Sequence, residues 1–329
     1  MKVLVTGAAG FIGSNLCDAL LAQGSSVLAL DDLSVGKRSN LQAAEASGQL
    51  KFVQGSILDL PLLEELVEST HYVFHLAVAC LRECFERPHH VHEVNATGTL
   101  NLLDACQRKA RQLERFVYVS SSEVYGSASY APMDEKHPCL PTTTYGASKL
   151  VGELYTRAYE LTHQMPTTII RPFNTYGPRE HHQGASGEVI PRFAVRIANG
   201  LAPIIFGDGS QTRDFTYVLD TAQGIIRAAE HPKTLGQTVN LARGQEVSVS
   251  RIARLLLDKM GRPDLEIQYQ GARPADVQRH YADAQRLKEL TGFAAQTSIE
   301  EGLDLYLDWF RQAHPEAKNL LVEVQERNW

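Results

Sequence analysis

Short apolar runs recur along the first half of the chain, at residues 3–5, 27–30, 52–53, 73–76, 116–119 and 168–170, with almost no polar residue inside them. A strand with one face in water would alternate, so runs of this kind belong to strands covered on both faces, as in a parallel sheet between helical layers. Helical patterns fill the intervals: Ile12, Leu16, Leu20 and Leu21 lead up to Gly24, and Leu62, Leu63, Leu66 and Val67 repeat the spacing. Strand and helix in alternation predict a doubly wound α/β domain over residues 1–172.

The first run ends in Gly7-Ala8-Ala9-Gly10-Phe11-Ile12-Gly13 and passes directly into a helical pattern. Glycines there let the backbone turn tightly and approach a pyrophosphate, whose charge meets open N–H groups and the positive end of the helix dipole. The spacing is GxxGxxG rather than GxGxxG, and its place after the first strand is what gives it weight. Asp31 closes the second run eighteen residues after Gly13. A carboxylate at that point accepts hydrogen bonds from the adenosine ribose hydroxyls and opposes a 2′-phosphate, which predicts NAD rather than NADP. Lys37 and Arg38, the residues a 2′-phosphate would use, stand in the loop that follows.

Beyond Arg171 the texture changes, with Pro172, Gly177, Pro178, Gly184, Gly187 and Pro191 punctuating a loop-rich stretch. A second, smaller α/β domain is expected over residues 173–329, with residues 213–243 returning to the first sheet through a helix-like run and the strand-like residues 238–241. A chain of 329 residues is long enough for two such domains.

Composition narrows the function classes. Lys+Arg of 32 against Asp+Glu of 38 leaves a net charge of −6 with the charges scattered, which is no footprint for nucleic acid or an anionic membrane. The longest apolar stretch, residues 72–81, contains His75 and is too short to span a bilayer. The N-terminal MKVLVTG reaches Gly7 before a signal h-region is built. Five cysteines (Cys17, Cys80, Cys84, Cys106, Cys139) lack paired spacing, which reads as reduced thiols in the cytoplasm.

Tyr145 and Lys149 stand four apart at the start of a predicted helix over residues 145–161, so both project on one face. A phenol of reference pKa about 10 is a poor base, and a neighbouring ammonium is expected to lower it by about one to three units. The run at 116–119 leads into Ser120-Ser121-Ser122-Glu123, placing hydroxyls and a carboxylate at the C-terminal sheet edge, where open α/β sheets bind ligands.

Taken together, GAAGFIG, Asp31, HLA at 75–77, Asn95 in NATGT, SSSEVYG at 120–126, YGASK at 145–149, RPFNTYGP at 171–178, GDGSQTRDF at 207–215 and ARPADV at 272–277 resemble the extended short-chain dehydrogenase/reductase family. Within it the chain is similar to the NAD-dependent nucleotide-sugar epimerases, dehydratases and decarboxylases. The resemblance implies a Rossmann-type fold with a smaller C-terminal substrate domain, and it implies Tyr145 as base, Lys149 as its partner and ribose ligand, and Ser121 as the hydroxyl sharing the sugar O4. The implied NAD contacts are Gly7, Gly10, Phe11, Ile12, Gly13, Asp31, Asp32, Ser56, Ile57, Leu76, Ala77, Asn95, Tyr145, Lys149 and Pro172. On the substrate side it implies Asn174, Arg213 and Arg273 around a nucleotide diphosphate, Asp276 near the ribose, and Val189, Ile204 and Phe206 beside sugar and base. Two positions depart from the family: Ser56 stands where relatives often carry an adenine-binding aspartate, and Val78 replaces the usual alanine after HLA.

The three activities share a first step, oxidation at C4, and diverge at the 4-keto sugar. A 4-epimerase needs room for the ketose to turn over, a 4,6-dehydratase needs a base at C5, and a decarboxylase needs cations at a C6 carboxylate. Glu123 after Ser122 resembles the Ser/Thr-Ser-Glu of some dehydratases and of UDP-glucuronate decarboxylases, and the surrounding motifs look most like dehydratases of nucleotide-linked amino sugars. A 4,6-dehydratase with Glu123 as C5 base is therefore the first expectation, ahead of decarboxylase and UDP-hexose 4-epimerase. A non-catalytic NAD-binding protein is the reading from another class, and it fits poorly with an intact Tyr145, Lys149 and Ser121. A UDP-sugar partner is favoured, and relatives pair the helices around 145 and 100–110, implying a homodimer. No metal is expected: His89, His90 and His92, and the pair His181 and His182, are read as solvated, and Cys80 and Cys84 as small buried hydrophobes near the sugar pocket.

Overall fold

The computed structural model of the chain describes residues 1–184, 187–272 and 277–324. The first half runs β1 (Lys2–Thr6), α1 (Phe11–Ala22), β2 (Ser26–Asp31), α2 (Gln42–Ala46), β3 (Leu50–Gln54), α3 (Leu60–Val67), β4 (Tyr72–His75), α4 (Pro88–His92), α5 (Gly98–Lys109), β5 (Arg115–Val119), α6 (Thr144–His163) and β6 (Thr167–Pro172). The second half adds β7 (Asn174–Tyr176), α7 (Val189–Ala198), β8 (Ile204–Phe206), β9 (Thr212–Tyr217), α8 (Val218–Glu230), β10 (Thr238–Leu241), β11 (Glu246–Ser248), α9 (Val249–Lys259), β12 (Gln268–Gln270), β13 (Arg279–His280), α10 (Gln285–Thr291) and α11 (Ile299–Ala313).

Seven parallel strands form the main sheet in the order β10-β6-β5-β4-β1-β2-β3. Every residue of β5 and β6 is buried, which is why neither segment alternates in sequence. Val3, Val5, Phe74 and Val117 pack on one face, with Leu16 and Leu20 of α1 and Ile225 and Ile226 of α8. Leu4, Val73, Phe116 and Tyr118 pack on the other, with Leu63, Leu66, Leu102 and Leu103. The strand order reverses between β1 and β4, and a doubly wound sheet opens its ligand crevice at that switch point.

Local chemistry places the helix ends. Asp59 accepts from the Leu62 N–H at 3.1 Å and starts α3. Thr143 accepts from the Gly146 N–H at 3.0 Å, fixing the first turn of α6 immediately before Tyr145, and Gln164 ends that helix in the left-handed region. α8 and β10 belong to the main sheet layer although they follow β7–β9, because β10 pairs with β6 from Thr238 to Leu241. α10 packs there too through Leu287, and the other second-half elements make a separate layer: β9 pairs with β7, β11 and β13, β8 pairs with β12, and α7, α9 and α11 cover a core of Tyr176, Ile190, Phe193, Leu256, Tyr306 and Phe310. The two layers meet along the carboxyl ends of β1 and β4–β6.

Candidate functional site

A crevice of about 600 Å³, within the usual range of ligand pockets, runs along that meeting line. Its floor at one end is the β1–α1 turn. Gly7 adopts φ +68, and a Cβ on it would lie 2.7 Å from the Ala77 nitrogen, while a Cβ on Gly13 would lie 2.1 Å from the Gly7 carbonyl oxygen. Only glycine fits either place, so backbone rather than side chain lines the turn. No side chain caps α1, so the N–H groups of its first turn remain for an anion. Gly10, Phe11 and Ile12 line the same end.

Asp31 is buried at the tip of β2, where Oδ2 accepts from the Ala9 N–H at 2.9 Å and Oδ1 from the Leu33 N–H at 2.8 Å. Burial raises its pKa and the backbone donors oppose that. Asp32 beside it accepts from Ser34. The two cations of the next loop are turned to other tasks. Arg38 pairs with Glu45 at 3.0 Å and lies over the Phe52 ring, and Lys37 is placed where its charge depresses the titration of His181 and His182. Carboxylates thus occupy the position a 2′-phosphate would need, and the donor set fits NAD.

Ser56, Ile57, Leu76, Ala77 and Pro172 also line the crevice. Asn95 does not. Its amide is spent on the loop after β4, with Oδ1 accepting from the Ala79 N–H at 2.8 Å and Nδ2 donating to the Ala79 carbonyl at 3.2 Å and to Ser148 Oγ at 3.0 Å. It clamps that loop to α6.

At the middle of the crevice Tyr145 hydrogen-bonds Ser121, whose hydroxyl also accepts from the Glu123 N–H at 3.2 Å. Lys149 is buried one turn on, where its ammonium donates to the Val119 carbonyl at 2.8 Å and stands 4.4 Å from the centre of the Tyr118 ring. Burial brings Lys149 down to about 7, against the pull of Glu153. The expected lowering of Tyr145 is not found: burial pushes the phenol well up, Glu123 and Glu188 add to the rise, and the Ser121 hydrogen bond only partly offsets it. Desolvating a phenolate beside two carboxylates outweighs an ammonium already committed to a carbonyl. Ser120 Oγ, buried without a partner, lines the crevice beside these groups and leaves a polar anchor for a ligand.

Several residues expected from the sequence to meet sugar and nucleotide lie together at the far end. Ser122 is buried, and Glu123 has its pKa raised by burial while Arg213 and Arg82 pull it down. Asn174 Nδ2 is buried without a partner at the crevice wall. Val189, Ile204, Phe206 and Arg213 line the same end, and Arg213 donates to the Val277 carbonyl at 2.7 Å. Arg273 and Asp276 lie outside the described residues. Arg82, Glu188, Arg192 and Arg196 line the crevice without having been singled out in the sequence, each in a loop or helix with no motif to mark it, and Gln211 lines it from within GDGSQTRDF although no role was given to it. Cys80 faces the crevice and Cys84 is buried behind it.

The histidines divide. His89 and His92 are exposed, and His181 lines the crevice. His182, read as solvated, is buried instead, with Nε2 3.0 Å from Glu323 Oε2, because the C-terminal segment folds back over it. Among the described residues no set of His, Cys, Asp and Glu is grouped to hold a metal ion, and no helix is long and apolar enough to cross a membrane.

Known proteins resemble the chain over most of its length. The profile of the NAD-dependent epimerase/dehydratase family matches residues 3–242. The UDP-glucose 4-epimerase of Mycolicibacterium smegmatis is 36% identical over 314 residues, covering 94% of this chain and 99% of that protein. Epimerase Mth375 from Methanothermobacter thermautotrophicus superposes with a TM-score of 0.90 at 34% identity, over 97% of this chain and 94% of its own. DesIV, a dTDP-glucose 4,6-dehydratase from Streptomyces venezuelae solved with NAD bound, gives 0.89 at 30% identity, over 96% and 98%.

Proposed function

The chain belongs to the NAD-dependent epimerase/dehydratase family, and we propose that it oxidises C4 of a nucleotide-diphosphate hexose transiently and completes a 4,6-dehydration with Glu123 as the C5 base. The cofactor is NAD, which supplies a two-electron acceptor at C4 and returns the electrons within the same turnover. Tyr145 takes the O4 proton while Ser121, hydrogen-bonded to it, holds the same oxygen. Lys149 steadies that end of the site through its bond to the Val119 carbonyl. The ketone at C4 acidifies C5–H, and Glu123 removes that proton. The C6 hydroxyl leaves as water on receiving a proton. Ser122 cannot serve as a carboxylic acid, so Glu123 hands its newly acquired proton to O6. The hydrogen and two electrons removed from C4 are returned to C6, C5 takes a proton from solvent by way of the again ionised Glu123, and Tyr145 releases the O4 proton to solvent, giving a 4-keto-6-deoxy sugar and water.

The observation that supports this reading is the place of Glu123: a half-buried carboxylate on the same wall as Ser121 and Tyr145, its pKa raised by desolvation. Asn174 and Arg213 are assigned to the diphosphate, an amide and a guanidinium being what its oxygens accept from. Ile204 and Phe206 flank the base, and Val189 the sugar. UDP is the favoured nucleotide, since several relatives are named for UDP-sugars. Incubating the protein with UDP-, GDP- and dTDP-hexoses and following products by NMR tests the reading. The expected product has a 4-ketone and a C6 methyl group, and its absence from every member of the panel refutes a dehydratase.

A second reading, UDP-hexose 4-epimerase, is favoured by the 36% identity to a protein of that name. It needs no action from Glu123, and the same panel returns a C4 epimer without loss of water. In the decarboxylase alternative Arg82, close enough to Glu123 to lower its pKa, would meet a C6 carboxylate, and xylose-type products would appear instead.

A homodimer is part of the proposal. Leu154 and Leu161, two turns apart on α6, are 58% and 69% exposed. Two such leucines on one row of a long helix fit a helix-to-helix interface. Sedimentation at micromolar concentration is expected to give twice the mass of 36.4 kDa, with Leu154→Glu/Leu161→Glu returning it to a monomer.

A further inference from the structure

β13 brings His280 to a place that none of the sequence motifs marks. In the ladder with β9, His280 is the register partner of Arg213, the guanidinium assigned above to the diphosphate. Arg213 is itself tied to the same segment, donating to the Val277 carbonyl at 2.7 Å three residues upstream of His280. The His280 side chain leaves this layer and enters the other. Its ring is buried, lies 5.1 Å from the centre of the Phe173 ring, and donates to the Ser122 backbone carbonyl. Ser122 is the middle residue of the turn whose neighbours are Ser121 and Glu123. Phe173, against which the ring packs at a tilt of 34°, joins β6 to β7 at the crevice wall.

The strand that carries His280 has little freedom to move alone. Met133 donates to the Tyr281 carbonyl at 3.0 Å, and Asp283 donates to the Met133 carbonyl at 2.8 Å. Ala282 donates to Asp214, the residue after Arg213, at 3.2 Å. A shift of Arg213 is therefore transmitted along β9 and β13 rather than absorbed by a loose loop. From this geometry we propose that His280 is a positioning residue: it transmits engagement of the nucleotide diphosphate at Arg213 to the Ser121–Glu123 turn and so aligns the acid–base groups with the sugar.

The groups facing the ring support that assignment. Arg213 on β9 and His137 on the loop before α6 both oppose a positive charge on His280, and burial adds to them, bringing it down to about 4. The ring is neutral across the working range, so what it contributes is one N–H and a flat surface, not a switched charge. A misaligned general base forfeits rate steeply, since small displacements at the reacting atoms cost large factors.

The inference rests on the proposed turnover of a nucleotide sugar, and the test keeps the two apart. His280→Leu removes the donor and keeps apolar bulk, whereas His280→Gln restores an N–H at similar reach. Wild type and both variants are compared for kcat and KM on the nucleotide sugar that the wild type turns over best, for UDP affinity by calorimetry, and for bound NAD by absorbance. The expected result is a loss in kcat of ten-fold or more for His280→Leu, UDP affinity and NAD content within about two-fold of wild type, and recovery to within about three-fold in His280→Gln. A kcat unchanged in His280→Leu, a glutamine variant no better than the leucine one, or UDP affinity that falls in step with kcat overturns the positioning role while leaving the proposed function standing. A wild type that turns over no nucleotide sugar removes the proposed function and this inference together.

Discussion

Tyr145→Phe is expected to lower turnover by about a thousand-fold, within the span typical for removing a general acid–base group and equivalent to about 4 kcal/mol of transition-state stabilisation. The phenyl ring keeps the packing at the start of α6, and only the hydroxyl bonded to Ser121 is lost. NAD and UDP affinities should therefore stay within about two-fold of wild type, because the glycine turn, Asp31, Asn174 and Arg213 are untouched. The pH profile gives a second reading of the same residue. Burial and the nearby carboxylates push the phenol up, so its base form grows as pH rises, and wild-type kcat/KM should increase with pH from 6 to 9. The residual rate of the phenylalanine variant should be flat over that range. Retention of more than a tenth of the wild-type rate, or a variant whose profile still climbs, would move the base to another residue.

The direction of that pKa also marks a limit of sequence reading. Spacing places Tyr145 and Lys149 on one helix face, because four residues return a helix to the same side whatever surrounds it. Spacing carries nothing about burial or about the carbonyl that claims the ammonium, and those decide the sign. The main sheet was readable for the opposite reason: strands enclosed on both sides must be continuously apolar, so their environment is written in their own residues. The glycine turn was likewise readable, since only glycine survives where a Cβ would meet backbone at 2.1 Å. His182 was misread because an imidazole has the same formula as a ligand, a clamp or a solvated group. The partner decides, and for His182 the partner is Glu323, 141 residues away. Arg213 and His280 come from strands of the second-half layer, far apart in sequence, and the register of β9 with β13 sets them side by side near the Ser121–Glu123 turn.

Glu123→Gln separates the candidate chemistries because each asks something different of one carboxylate. In a dehydratase the variant still oxidises C4, since Tyr145, Ser121 and Lys149 remain, but it loses the base for C5–H. Single-turnover absorbance of the reduced cofactor should then rise and persist, the 4-keto sugar should accumulate, and deuterium from solvent should fail to enter at C5. The net rate should fall by about 10² to 10⁴, the usual worth of a positioned base. The swap nearly preserves shape, but it also removes the charge that Arg82 and Arg213 draw toward ionisation. A second variant, Glu123→Asp, controls for this by keeping the charge and shortening the reach, and it should recover part of the C5 exchange. In a decarboxylase, CO₂ departs from the β-keto acid without a proton being taken at C5, so oxidation and product formation should decline together with no cofactor signal left behind. In a 4-epimerase the carboxylate touches neither oxidation nor return of the electrons, and the loss should be less than about ten-fold. A wild-type product free of deuterium at C5, with Glu123→Gln turning over at the wild-type rate, would end the dehydratase reading and leave the epimerase in its place.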